Sequence, residues 1–268
     1  MIIKEISVKG VVTKSNLPDA EYVINPYVGC QHGCIYCYAE FMKKFTDHHE
    51  EWGSFVDVKI NSPELLKGLK GRYKGKDIFL SSVTDPYQPL EAKYMLTRKI
   101  LERLVEEQPI IEILTKSALV KRDIDLFKKF KDISIGISLS TLDNELSRKL
   151  EPFTSPPKLR LDALKKCKEA GLKVYVFVSP IIPYITDVDE IVKLSSFADY
   201  VMFENLNLRP TNINKIFDFI RKNRPDVFED FKRVDESYWK DVERNIRKIC
   251  KDPRIYFHHG SPKKQKGL

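Results

Sequence analysis

Five short apolar runs separated by amphipathic stretches set the tightest limit on how this chain can fold: Asp77–Ser82, Ile110–Thr115, Ile133–Leu139, Val174–Val178 and Tyr200–Phe203. Runs of this length, apolar on both faces, suit strands covered on both sides, as in parallel sheets. Between them, Tyr94–Glu107 carries Met95, Ile100, Leu101, Leu104 and Val105 at helical spacing. Leu159–Ala170 repeats the pattern and ends at Gly171, a good helix stop. Alternating strands and helices predict right-handed crossovers in series, hence a parallel barrel or partial barrel with reactive side chains at the C-terminal ends of its strands. With 42% hydrophobic residues in 268, the chain can bury an adequate core.

Polar residues gather where such a fold places a site. Ser81, Ser82, Thr84 and Asp85 follow one run, Thr115, Lys116 and Ser117 the next, Ser138, Ser140 and Thr141 a third, and Glu204, Asn205, Asn207 and Arg209 the last. One such loop is ordinary capping, and Asp85 before a proline also suits a turn that caps the next helix. Several converging on one barrel mouth form a site. The predicted organisation is an N-terminal segment over 1–20, the barrel over 21–210, and a helical C-terminal extension over 211–268 whose tail, Ser261–Leu268, is expected to be mobile.

The cysteines carry the chemistry. Cys30, Cys34 and Cys37 place three thiols within eight residues in the spacing Cys-x3-Cys-x2-Cys, with no fourth cysteine nearby. An odd total of five, three of them crowded, fits metal ligation in a reducing compartment better than a disulfide framework. Three thiolates around an iron–sulfur cluster leave one iron open to a small molecule, and a structural zinc site completed by His48 or His49 is the competing reading. Gly29 and Gly33 allow tight turns in the loop, while Tyr36 is suited to shield a cluster or pack on an adenine. Cys167 and Cys250 sit at helical spacing from apolar neighbours and read as core. His258 and His259 read as a strand end, with base stacking or metal ligation as the functional alternative. Asp47–Glu51, which contains both candidate zinc histidines, otherwise reads as a solvated helix end. A net charge of +8 favours an anionic partner such as nucleic acid, although the dispersed Lys and Arg fit an ion-pair-rich surface as well. No apolar run of about 18 residues and no secretory signal is evident, so a soluble, cytoplasmic monomer is expected.

Around the cysteines the chain resembles the radical S-adenosylmethionine (SAM) enzymes, and in particular the spore photoproduct lyase-like, or DNA repair photolyase-like, branch. The resemblance runs over about residues 20–210 through Asn25–Cys30, Cys37–Ala39, Ser81–Glu91, Leu114–Ser117 and Val178–Pro183. It implies a partial (β/α)6 TIM-type barrel with a helical C-terminal extension and a [4Fe–4S] cluster on Cys30, Cys34 and Cys37 whose open iron holds SAM. It also implies an external electron donor such as flavodoxin or ferredoxin, and hydrogen abstraction from a substrate by a 5′-deoxyadenosyl radical. Ser81 to Asp85, including Ser82 and Thr84, is then expected to face the methionyl amine, and Lys116 or Ser117 the SAM carboxylate or ribose. Alignment on Asp85 puts Ser82 where authentic spore photoproduct lyases carry a hydrogen-donating cysteine. A serine O–H is too strong a bond for that step, so a reaction other than the authentic lyase reaction is expected.

Overall fold

The structure is a computed structural model that describes residues 1–17 and 19–258. Its strands are β1 (Ile2–Ile6), β2 (Val12–Lys14), β3 (Tyr22–Ile24), β4 (Tyr27–Val28), β5 (Phe55–Lys59), β6 (Asp77–Leu80), β7 (Ile110–Thr115), β8 (Ile133–Leu139), β9 (Lys173–Ile181), β10 (Tyr200–Asn205) and β11 (Pro253–Tyr256). The helices are α1 (Glu91–Tyr94), α2 (Leu96–Leu104), α3 (Ile124–Phe127), α4 (Asn144–Leu150), α5 (Pro157–Glu169), α6 (Val188–Leu194), α7 (Ile213–Asn223), α8 (Phe228–Lys232) and α9 (Glu236–Ile249). All five apolar runs are strands, consecutive neighbours in one sheet of order β11-β10-β9-β8-β7-β6-β3-β2. Every pairing from β3 to β11 is parallel, and only β2 at the edge is antiparallel.

Side-chain alternation divides the sheet into two faces. On β8, Ile133, Ile135, Ile137 and Leu139 join the main core with Leu161, Leu164 and Cys167 of α5, whereas Ser134, Gly136 and Ser138 point to the concave face. Gly136 is needed there, because a Cβ would lie 2.2 Å from the Tyr175 ring that crosses it. Tyr175 stacks on Tyr200 at 5.0 Å, and the Arg254 guanidinium lies 3.7 Å over Tyr200. Aromatic and charged groups thus plug the end of the concavity at the strand N-termini. A hydrogen bond of 3.2 Å from Tyr256 to Asp19, near the opposite edge strands, shows how far the sheet curls. No pairing closes it into a barrel among the described residues, so the architecture is an open, curved and mostly parallel α/β sheet.

One feature departs from the sequence expectation and two fill it out. The helix expected over Tyr94–Glu107 is the shorter α2, Leu96–Leu104, set off from α1 at Met95 (φ 54°), and the buried Glu91 carboxylate caps it through Thr97 N and Arg98 N at 3.1 and 3.3 Å. The N-terminal segment carries β1, which pairs with β5, and β5 pairs with β4, in a small separate sheet. The C-terminal extension is helical but also adds a parallel strand, β11, beside β10. As expected, α5 stops at Gly171, Cys167 is fully buried, and Cys250 packs against the main core. His259 and the tail Ser261–Leu268 lie outside the described residues.

Candidate active site at the strand C-termini

The cysteine loop leaves β4 and crosses the C-terminal ends of the parallel strands. Glycine shapes it: Gly29 and Gly33 have φ of +84° and +61°, and a Cβ on Gly29 would meet Phe55 O at 2.5 Å. Cys30 packs with Ala39, Trp52 and Phe55, and Cys37 borders the same cluster. Burial, with Cys30 close by, pushes the Cys37 thiol up to about 12, and burial with the Glu151 carboxylate raises Cys34. Thiols so disfavoured as anions ionise when a cation arrives.

The loop after β6 braces the cysteine loop. Thr84 Oγ1 donates to Gly29 O at 2.6 Å, and Gln88 links the two by donating to Thr84 Oγ1 and accepting from Gln31 N. Asp85 is wholly engaged: its oxygens accept from Tyr87 N at 2.8 Å, Thr115 Oγ1 at 2.6 Å and Lys116 N at 2.8 Å, with His32 Nδ1 at 3.3 Å. Burial works against the charge of both partners. The ion pair outweighs it, lowering Asp85 and raising His32. Asp85 therefore positions the loop rather than presenting a free carboxylate.

Lys116 reaches the mouth. Its Nζ donates to Ser138 Oγ at 2.8 Å and lies 5.7 Å over the Tyr36 ring. Tyr36 is buried, and its hydroxyl is bonded to Glu151. Glu151 also accepts from Arg160 and, at 3.0 Å, from Ser140. Ser117 follows Lys116, and its Oγ accepts from Leu119 N at 3.3 Å at the start of the 3-10 turn Ala118–Asp123. Ser82 accepts through its carbonyl from the Tyr38 hydroxyl. Ser81 has φ 70°, and its buried hydroxyl has no partner.

Sequence reasoning passed over His32, Tyr38, Trp52, Glu151 and Arg160. His32 and Tyr38 were open to view beside the cysteines, but the Glu151–Arg160 pair has no local signature. Conversely, His48 is not free to serve a metal, since its ring nitrogens lie 2.9 Å from Glu50 and 2.9 Å from Asp57.

Among the described residues four buried side-chain atoms lack an oxygen or nitrogen hydrogen-bond partner: Gln31 Oε1, His32 Nε2, Trp52 Nε1 and Ser81 Oγ. All four belong to the cysteine loop or to segments packed on it, and two of the groups face sulfur, with His32 hydrogen-bonded to the Cys30 thiol and Trp52 to that of Cys37. Three thiols, Cys30 buried and Cys34 and Cys37 half-buried, with His32 and Trp52 turned to their sulfurs and the unpartnered Ser81 and Gln31 oxygens nearby, fit an iron–sulfur cluster with a polar ligand beside it.

Comparison with known proteins agrees. The chain is 41% identical over 249 residues to an uncharacterized protein of Methanocaldococcus jannaschii, covering 92% of this chain and 93% of that one. It is 28% identical over 169 residues to a radical SAM Nalpha-GlyT isomerase of Pseudomonas phage M6, covering 62% of this chain and 34% of that protein. Among solved structures it is similar in fold to spore photoproduct lyase complexed with dinucleoside spore photoproduct, with a TM-score of 0.67 at 17% identity, covering 96% of this chain and 82% of that one. The signature described as "Radical SAM superfamily" matches residues 24–198, the span from β3 to the approach to β10. The chain belongs to the radical SAM superfamily and is an enzyme of that class.

Proposed function

We propose that Cys30, Cys34 and Cys37 hold a [4Fe–4S] cluster whose open iron takes SAM, and that the substrate is a nucleic acid base. When bound, the cluster and SAM supply a 5′-deoxyadenosyl radical through one-electron cleavage of a SAM carbon–sulfur bond. The observation that carries the cofactor reading is the convergence of the three thiols with His32 and Trp52, which turn to the cysteine sulfurs, and with the unpartnered Ser81 hydroxyl. The partial (β/α)6 barrel expected from sequence suits this use, because an open side of the curved sheet admits a substrate larger than the cofactor.

The chain's own groups divide the work. Lys116, fixed by Ser138 and the Tyr36 ring, offers an ammonium to the SAM carboxylate. Ser81 offers its unpartnered hydroxyl, and Ser82 and Thr84 its neighbouring backbone, towards the methionyl end. Asp85 acts through His32 and Lys116 N, Ser117 by capping the turn that follows Lys116, and Tyr36 by closing the site beside Glu151. The nucleic-acid reading rests on the net charge of +8 and on the dinucleoside lesion bound by the lyase of similar fold. Ser82 in the loop after β6 supports a reaction other than that lyase's. An external one-electron donor such as flavodoxin or ferredoxin completes the system, with the protein a monomer in the cytoplasm. Among the described residues no helix is long and apolar enough to cross a membrane.

Anaerobic reconstitution with iron and sulfide, followed by SAM and dithionite, tests the cofactor reading. Formation of 5′-deoxyadenosine is expected, and a fully loaded protein that never cleaves SAM refutes it. The substrate reading predicts salt-dependent binding to DNA or RNA.

A further inference from the structure

A belt of polar contacts runs round the concave face at the strand C-termini. From Lys116, just past β7, it passes to Ser138 on β8 at 2.8 Å, then from Ser138 Oγ to Ser179 O on β9 at 2.9 Å. Ser179 Oγ donates to Glu204 Oε2 on β10 at 2.6 Å, and Glu204 Oε1 lies 2.9 Å from His258 Nε2 just beyond β11. The Lys116 end lies by the cysteines; the Glu204 and His258 end has no part in holding them.

That far end is a built site. Asn205, 3% exposed, spends its side-chain amide on the His258 backbone, accepting from N at 2.7 Å and donating to O at 3.3 Å. Phe257 packs on Trp239 of α9 at 5.6 Å, so the C-terminal extension delivers the imidazole to the mouth. Half of the His258 side chain is exposed, and Nδ1 has no partner among the described residues. The Glu204 hydrogen bond favours the imidazolium, against burial and the nearby Arg209. Arg209 acts on both His258 and Tyr38 electrostatically, and its guanidinium has no hydrogen-bond or ion-pair partner among the described residues. Glu204 is already committed to His258 and Ser179, which leaves a donor at Nδ1 and, on the exposed Arg209 near enough to act on His258, a cation without an ion-pair partner among the described residues.

We infer that His258, held by Glu204 and Asn205, and Arg209 together bind a phosphate oxyanion of the substrate at the mouth, opposite the SAM end of the belt. This rests on the nucleic-acid reading above and adds to it a phosphate-anchoring point. Fixing a phosphate there orients the nucleotide against the cofactor without any contact to the reacting atom.

The test uses the reconstituted, cluster-bearing protein under anaerobic conditions. A short fluorescein-labelled single-stranded DNA is titrated by anisotropy against wild type, His258→Ala, Arg209→Gln and the exposed control Lys222→Gln. Arg209 lies in an exposed loop, so its variant keeps the test sound should His258→Ala lose stability. Expected is about a tenfold loss for each of the first two, the factor carried by one charge-assisted hydrogen bond, and little change for the control. A second arm follows binding of inorganic phosphate by phosphorus NMR. If DNA fails to bind but phosphate binds and depends on His258 and Arg209, the anion site stands and the nucleic-acid reading falls. If DNA binds equally to wild type and both variants, the anion site is overturned while that reading survives. If neither probe binds wild type, both are overturned.

Discussion

The Asp85 carboxylate lies 3.3 Å from His32 Nδ1, so the loop after β6 and the cysteine loop are joined by a buried ion pair. The same carboxylate takes Thr115 Oγ1 and Lys116 N from the end of β7. One side chain thereby sets the cysteines against the strand that carries Lys116.

Replacing Asp85 by Asn tests this coupling. The folded carboxyl is lowered to about 2, below an ordinary value of about 3.9. Its contribution is therefore full above the unfolded value and is lost as pH falls towards the folded one. Asp85→Asn should cost about 2 kcal/mol at pH 6, with the gap to wild type narrowing below about pH 4. Urea denaturation of the cluster-free protein across that range measures it, and a gap independent of pH contradicts the assignment.

The three cysteines should separate cleanly from the other two. Cys30→Ala, Cys34→Ala and Cys37→Ala are each expected to lose bound iron and sulfide and to reduce SAM cleavage more than about a hundredfold. Cys167→Ala should keep its iron and lose only about 1 kcal/mol of stability, since that thiol is wholly buried in the main core. Iron and sulfide analysis with the visible absorption spectrum decides the matter.

Lys116→Ala should weaken SAM binding about tenfold, the worth of one charge-assisted hydrogen bond, with iron content unchanged. Equilibrium dialysis of SAM against the reconstituted protein is the measurement. Undiminished affinity removes Lys116 from the SAM site.

Gly53→Ala should disturb the cysteine loop from outside it. A Cβ there would lie 2.6 Å from Gly33 Cα, and φ at Gly53 is +97°. A loss of at least about 2 kcal/mol and a lower iron content after reconstitution are expected. Thermal denaturation together with iron analysis would expose a tolerant loop as a failure of this prediction.

Much of the frame was legible because its signals are local. The five strands announce themselves as apolar runs, α5 by its period and Gly171, and the cysteines by their spacing. The start of α2 beyond Met95 was hidden, because its cap is Glu91 folding back onto Thr97 and Arg98 rather than the residue before the helix. The strand β11 was signalled only through its end, where His258 and His259 read as a strand end, since Pro253–Tyr256 itself has a proline, an arginine and little apolar length. Within the site, Lys116, Asp85 and Ser117 gave the same signal from their place after a strand, and only the fold shows that Asp85 accepts from Thr115 and Lys116 N and that Ser117 accepts from Leu119 N.

The sequence by itself determined the alternation of strand and helix and the three thiols, since periodicity and spacing act within a few residues. Only the tertiary structure decided which polar residues meet. Asp85 joins His32 across 53 positions, Glu151 joins Tyr36 across 115, and Glu204 joins His258 across 54. Partners so far apart are selected by the curvature of a parallel sheet, which brings the C-terminal ends of distant strands around one concavity, and no local pattern records that meeting.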